Sequence, residues 1–293
     1  MSSSPADLPA GELEIKAPAK INYFLHILGR RPDGYHDLDS LMIKLELADR
    51  LLLQRRKTAG IAVSCPGGEV PAGPDNLVYK AAAAFFAHCE LAPALAITLD
   101  KQIPVAAGLG GGSSDAAAAL LGLNLLYDTG LEEDVLLALA RPLGADVPFF
   151  VQPSPAARAR GIGELLTPAP VPAGVNWIVL VNPGFGVSTK WVYDNFPLTK
   201  QSDPAIFTGS SAAADLRPFN DLEAVTMAGY PELEAIREQL LAAGAEAALM
   251  SGSGPTMFAV FVEEPAARAC AAGLARQYRK VYVTRPCWGV VKR

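Results

Sequence analysis

The chain has 293 residues, of which 51% are hydrophobic, and a formal net charge of −5. That is enough apolar sequence for a sizeable core in one large or two ordinary domains, and it excludes disorder as a general description. The charge carries no basic stripe, which argues against nucleic acid as the main partner, and no segment has the length and apolarity of a membrane span.

Residues 1–10 lack the basic and apolar regions of a signal peptide and read as a short disordered lead-in. Residues 11–28 are strand-like, alternating at Leu13, Ile15 and Ala17 until Pro18 interrupts the pattern, and residues 41–53 continue in β-rich fashion. Apolar residues at three- and four-residue steps predict a helix over 76–90, capped by Asp75 or Asn76. A strand over 95–99 leads into a glycine loop, and a helix is expected from about 114 to 126. Another helix, 132–140, ends at Arg141-Pro142. Residues 153–176 are rich in Pro, Ala and Gly and read as an irregular segment near a domain boundary. Beyond it come a buried strand (177–181), a helix (231–243) stopped by Gly244, strands at 247–250 and 256–262, a helix over 265–278 and an edge strand at 281–284. The loose alternation of strands and helices indicates an α+β class.

The four cysteines, Cys65, Cys89, Cys270 and Cys287, form no C-x-x-C, and the histidines are His26, His36 and His88. A zinc site or disulfide framework is therefore not expected; the thiols suit a reduced, cytoplasmic setting.

The loop is the strongest chemical signal. Gly108, Leu109, Gly110, Gly111 and Gly112 are followed by Ser113, Ser114 and a run of alanine and leucine with strong helix propensity. Glycine leaves no Cβ in the way of a ligand, and the first N–H groups of a helix lack intrahelical partners. Such a loop feeding a helix start is an anion cradle, with the serines as expected caps. It is neither of two familiar phosphate loops. No Gly-Lys dipeptide exists for a P-loop, and G-x-G-x-x-G fails at Ser113 or Asp115. The hydrolase elbow G-x-S-x-G also fails.

Four further segments carry candidates. Lys20, in an apolar strand, serves either as a cation for a phosphate or carboxylate, or as a snorkelling surface lysine. Asp33-Gly34 is a turn dipeptide presenting Tyr35 and His36, which suit stacking on and hydrogen bonding to a flat heterocycle, or simply close a hairpin. Asp146 opens an apolar strand over 147–150 and either faces Lys20 and a substrate hydroxyl or accepts local turn bonds. The loop 251–255, Ser-Gly-Ser-Gly-Pro, either closes over substrate or is a tight turn.

Taken in order, segments 17–22, 104–118 and 250–254 resemble the three motifs of the GHMP small-molecule kinases. The Arg31-Pro32-Asp33-Gly34-Tyr35-His36 element, with 108–116 and 143–150, is similar to the branch that phosphorylates the 2-hydroxyl of a cytidine diphosphate-linked methylerythritol in the non-mevalonate isoprenoid pathway. The resemblance runs from about residue 16 to residue 261. It implies two domains, expected at 11–170 and 171–293, each a mixed sheet layered with helices, with the site in the cleft between them. It implies ATP as phosphoryl donor, its phosphates on Gly108 to Ser114 behind Pro104, with Lys101 near the nucleotide. Lys20 and Asp146 become the catalytic pair. Tyr35 and His36 hold the cytidine base, and Asn22 reaches the erythritol end. Mg²⁺ is expected to bridge the phosphates, with Ser113 or Ser114 as a ligand and Asp115 turned away or toward the metal. Where the family usually carries more glycine, this loop has Ala106 and Ala107, for which ordinary backbone angles are expected. The open alternatives are another GHMP kinase, a non-catalytic nucleotide-binding regulator on the same fold, and, against the failed fingerprint, an oxidoreductase.

Overall fold

The computed structural model describes residues 11–67, 70–197 and 217–288; the lead-in expected at 1–10 lies outside them. The architecture grows from one long hairpin. β1 (Glu12–Arg30) and β2 (His36–Arg55) pair antiparallel nearly end to end, from Glu12 opposite Gln54 to Arg30 opposite His36. Their connection is the expected Asp-Gly turn. Gly34 takes φ +90°, and Tyr35 N–H donates to Asp33 Oδ1 at 3.1 Å.

The free edge of β2 is shared. Its 50–55 end pairs with β4 (Ala94–Asp100) and its 38–43 end with β5 (Ala156–Gly161). β3 (Gly60–Ser64) lies parallel to β4, and β6 (Leu165–Ala169) antiparallel to β5. On the far side, β1 takes up the short parallel β8 (Phe219–Asn220), completing a seven-stranded sheet. A second, four-stranded antiparallel sheet has the order β11 (Lys280–Thr284), β7 (Trp177–Asn182), β10 (Met257–Phe261), β9 (Ala247–Met250).

Alternation along the strands then fixes the layers. Ile15, Met42, Leu51 and Leu53 bury one face of the first sheet under α1 (Leu77–His88), α2 (Gly111–Leu126), α3 (Glu133–Ala140) and α4 (Val147–Val151). Ile21, Leu41 and Ile43 bury the other face against Ile178, Leu180, Phe258 and Val260 of the second sheet. The outer face of that sheet is covered by α5 (Thr189–Asp194), α6 (Glu223–Gly229), α7 (Glu232–Ala242) and α8 (Glu264–Leu274), and Leu25, Ile27 and Leu38 from the tip of the long hairpin join that core. Each such side chain, fully buried, stabilises the fold by about 1.5–3 kcal/mol. The result is an α+β fold of two domains.

Four local expectations are corrected. β1 runs straight through Pro18, because the pairing shifts between Pro18 and Ala19 and this irregularity absorbs a residue without an N–H. Strand β2 begins at His36 rather than 41; its first turns look polar, but the buried Asp39 is held by the Arg158 guanidinium of β5. Residues 156–169, read as irregular, form the β5–β6 hairpin, and Pro168 is tolerated because β6 is an edge strand. The run after Asp146 is helix, not strand. Five apolar residues are too few for period to decide, and Pro148 falls in the first turn, where its missing N–H costs nothing.

The described cysteines are free thiols. Among the described residues no helix is long and apolar enough to cross a membrane.

Candidate active site

α2 starts three residues before the expected position. Its N-cap is Gly110 at φ +71°, and the first intrahelical bond there runs from Ser114 N–H to the Gly110 carbonyl at 2.9 Å. The N–H groups of Gly111, Gly112 and Ser113 thus begin the helix without intrahelical acceptors, beside a pocket that these residues line. Ser113 and Ser114 stand inside the first turn and do not cap it. Close approach explains two glycines. A Cβ on Gly108 would lie 2.2 Å from the Ser251 carbonyl oxygen, and one on Gly110 would lie 2.9 Å from both Lys20 Cγ and Phe150 Cζ. Ala106, expected in ordinary geometry, has φ +52° instead, a conformation costing a non-glycine residue of order 1 kcal/mol.

Lys20 is buried, which rules out the snorkelling reading. Its backbone N–H donates to the Leu109 carbonyl at 2.9 Å, joining β1 to the loop. Its ammonium donates to Asn22 Oδ1 at 2.6 Å and stands 3.6 Å from Asp146 Oδ2. Asn22 Nδ2 donates in turn to Ser40 Oγ at 2.8 Å. Asp146 holds the N-cap position of α4 without using its side chain as a cap, so the carboxylate is left to the pocket, 34% exposed.

The loop 251–255 is a tight turn and also a wall. Ser251 N–H donates to the Thr256 carbonyl at 2.9 Å, Ser251 Oγ donates to the Gly108 carbonyl at 3.0 Å, and Thr256 N–H reaches the Ala107 carbonyl at 3.3 Å. Asn220 Nδ2 holds the Met250 and Gly252 carbonyls from behind at 2.7 and 2.8 Å. Glu223 Oε1 accepts the Met250 N–H, and burial pushes that carboxyl up to about 7 against the opposing pull of Arg237 and of this bond.

Lys101 lines the same pocket, but its ammonium is already held. It donates to Asp115 Oδ2 at 2.7 Å and to Asp49 Oδ2. Asp49 Oδ1 accepts the N–H groups of Gln102 and Ile103 at 2.6 and 2.8 Å, so the chain entering the loop is pinned to β2. Burial works to lower the Lys101 pKa, yet Asp115 and Asp49 together raise it above the usual lysine value. Burial raises Asp115, against the pull of Lys101. Asp115 therefore faces the Lys101 ammonium.

At the other end Tyr35 is 61% exposed, while His36 is buried at the start of β2. The His36 ring stacks at a tilt 5.3 Å from Tyr193 and meets Phe196 edge-on at 6.3 Å. Burial, helped by Arg30 and opposed by Asp194, lowers the His36 pKa, so at neutral pH it offers one donor and one acceptor nitrogen. Tyr193 is pushed up to about 12, first by burial and then by the nearby Asp146 charge, and stays a phenol. Sequence reasoning missed Tyr193, which lies in a short helix far along the chain with no motif around it.

The residues form one cavity of about 930 Å³, lined at one end by Tyr35, His36, Thr189 and Tyr193 and at the other by Pro104 and residues 108–113, with Lys20, Asn22 and Asp146 in the same wall. Neighbours link the ends in sequence: the Lys20 side chain fills the space a Cβ on Gly110 would need, Lys20 pairs with Asp146, the Asp146 charge is felt at Tyr193, and the Tyr193 ring meets His36. Leu109 lends the site its carbonyl, while its side chain is buried in the layer between the sheets. No cluster of three His, Cys, Asp or Glu side chains suited to a metal occurs among the described residues.

The chain matches the family models for the GHMP kinases N terminal domain over residues 76–153 and the GHMP kinases C terminal over residues 208–280. It is 45% identical over 268 residues to the 4-diphosphocytidyl-2-C-methyl-D-erythritol kinase of Geotalea daltonii, covering 90% of this chain and 95% of that protein. A crystal structure of 4-(cytidine 5'-diphospho)-2C-methyl-D-erythritol kinase superimposes with a TM-score of 0.80 at 37% identity, covering 94% of this chain and all of the other. A homoserine kinase from Cytophaga hutchinsonii shares the fold at a TM-score of 0.75 with 18% identity, over 96% of this chain and 98% of that one.

The buried triad yields a stability prediction. Asp49→Ala leaves Lys101 short of one partner and two backbone N–H groups without an acceptor, and should lower the unfolding free energy by about 3–5 kcal/mol in urea titrations. Asp115→Asn, which leaves Lys101 with one full counter-charge, should cost clearly less. Equal stability of Asp49→Ala and the parent chain contradicts the anchoring role.

Proposed function

The chain belongs to the GHMP kinases, among their 4-diphosphocytidyl-2-C-methyl-D-erythritol kinases, and from that premise we propose which of its residues carry the phosphorylation of the cytidyl substrate's 2-hydroxyl by ATP. The observation that carries the reading is the Lys20–Asp146 pair in one cavity between a free helix N-terminus and an aromatic corner. The triphosphate lies on the N–H groups of Gly111, Gly112 and Ser113, where the helix end favours negative charge. The cytidine base lies at Tyr35, His36 and Tyr193, with the rings as platforms and the neutral imidazole edge as hydrogen-bonding partner. The methylerythritol unit falls between, beside Asn22 and Asp146.

Phosphoryl transfer passes through a loose transition state, so positioning and charge compensation do most of the work. Asp146 holds the acceptor hydroxyl in line and takes its proton late. Lys20 orients Asp146 and balances charge on the moving phosphoryl group. Lys101 supports the nucleotide end through the loop, pinned by Asp49 and Asp115. Magnesium fits this arrangement in the way it usually binds nucleotides, mostly through phosphates and water. Ser113 lines the pocket and would offer a ligand, and the Ser114 hydroxyl behind it is buried without a hydrogen-bond partner; bound at Ser113, the ion would neutralise phosphate charge. We place the division between the two units at 170/171, between β6 and β7, and the enzyme in the cytoplasm, acting on a small molecule without nucleic acid or membrane as partner.

Two variants test the roles. Asp146→Asn should keep nucleotide binding and lower kcat by roughly 10²–10⁴, the range of a positioned general base; turnover within a few-fold of the parent enzyme removes that role. Tyr35→Ala should raise KM for the cytidyl substrate by roughly 5–150-fold, the equivalent of about 1–3 kcal/mol of base stacking, with kcat and the ATP KM little changed. An effect confined to ATP instead would move the base away from Tyr35.

A further inference from the structure

Among the described residues, Lys44 is the one fully buried lysine that the reaction scheme above leaves without a task. It lies directly opposite Lys20 in the β1–β2 register. Directly opposed residues of an antiparallel pair share a face, and like charges there are unfavourable unless each finds its own partner. Both lysines find one on α4. Lys20 stands 3.6 Å from Asp146, at the start of that helix. Lys44 Nζ donates to the carbonyl of Gln152, the residue that closes the helix, and lies 5.0 Å from the centroid of the Phe149 ring. The Lys44 backbone adds a second tie, its N–H donating to the Pro155 carbonyl at 2.8 Å.

α4 has five residues, all buried. So short a helix has little stability of its own, and its placement is set by what grips it. Phe150 packs against Gly110 of the phosphate loop, and Phe149 meets Phe150 edge-on at 5.1 Å. A displacement of α4 would move Asp146 and the ring behind the loop together. Burial lowers the Lys44 pKa to about 8, with Cys287 and Glu133 opposing, so near neutral pH the group remains largely an ammonium. A buried ammonium is a poor device for packing alone, because an apolar side chain of similar volume usually serves stability as well or better.

We infer that Lys44 is a positioning residue for phosphoryl transfer: with its strand partner Lys20 it grips the two ends of α4 and so fixes where the Asp146 carboxylate stands against the acceptor hydroxyl. The inference rests on the reading of Asp146 as the group that receives that hydroxyl.

A double-mutant cycle tests it, with steady-state kinetics on Lys44→Met, Asp146→Asn and the two combined. Lys44→Met should lower kcat by roughly 10–100-fold, the scale of a small misplacement of a reacting group, and leave both KM values within about twofold. In the Asp146→Asn background the same change should alter kcat by less than about twofold, because the group it positions is already disabled. Equal fractional losses in both backgrounds, or an unchanged kcat in folded Lys44→Met, overturn the inference. Should Lys44→Met fail to fold, Phe149→Leu, which removes the ring beside the ammonium and keeps an apolar side chain, is run through the same cycle, and must show a kcat loss that vanishes with Asp146→Asn. If Asp146→Asn alone retains near-normal kcat, the assignment of Asp146 falls and this inference falls with it, a result distinct from additive losses.

Discussion

Burying the Lys20 ammonium constrains everything around it. A lysine taken out of water needs partners close at hand, and here they come from three parts of the chain: Asn22 on its own strand, Asp146 at the start of α4, and the Leu109 carbonyl that receives its backbone N–H. The same side chain fills the space that a Cβ on residue 110 would need, so the glycine loop is moulded onto the lysine. The loop 251–255 then closes on Gly108 from the second sheet. Strand, loop and helix are thereby fixed relative to one another before any ligand arrives, the condition under which electrostatic stabilisation of a transition state requires little reorganisation.

A second buried ionic group does the same work one layer down. Lys101, Asp49 and Asp115 tie the strand that enters the loop to the helix that leaves it, so both ends of the loop are anchored through charges rather than through apolar contacts. Leu109 is the one large buried side chain of the loop 108–112, whose other residues are glycine, two of them held where a Cβ would collide with Ser251, Lys20 or Phe150. Its rigidity has to come from hydrogen bonds and ion pairs made by its neighbours. The left-handed Ala106 shows how firmly the chain there is held, since an alanine adopts that conformation only when its surroundings dictate it.

The parts of the site that could be read from sequence are those where chemistry demands an unusual residue type: glycines at a helix start, a lysine in an apolar strand, an aspartate after Gly144-Ala145, an Asp-Gly turn before Tyr35 and His36. What could not be read depends on tertiary partners. The run after Asp146 is too short for period to separate helix from strand, and only its packing beneath α2 and against Phe150's neighbours decides. The β5–β6 hairpin is hidden by proline and alanine, which an edge strand tolerates. Lys101 gives no hint in sequence that two distant aspartates hold it. Tyr193 reaches His36 only because the second sheet folds over the hairpin tip. The serines after the loop look like caps, but glycine's freedom lets the helix begin ahead of them.

If one cavity couples recognition of the cytidyl group at Tyr35, His36 and Tyr193 to transfer from ATP held on the glycine loop, the acceptor's cytidyl end must govern turnover. The most direct measurement is ADP formation by the purified enzyme with three acceptors: diphosphocytidyl-methylerythritol, methylerythritol lacking the cytidyl group, and none. ADP should form rapidly only with the cytidyl acceptor, and the transferred phosphate should be recovered on its 2-hydroxyl. Equal turnover of the acceptor lacking the cytidyl group, or no turnover of the cytidyl acceptor, would contradict it.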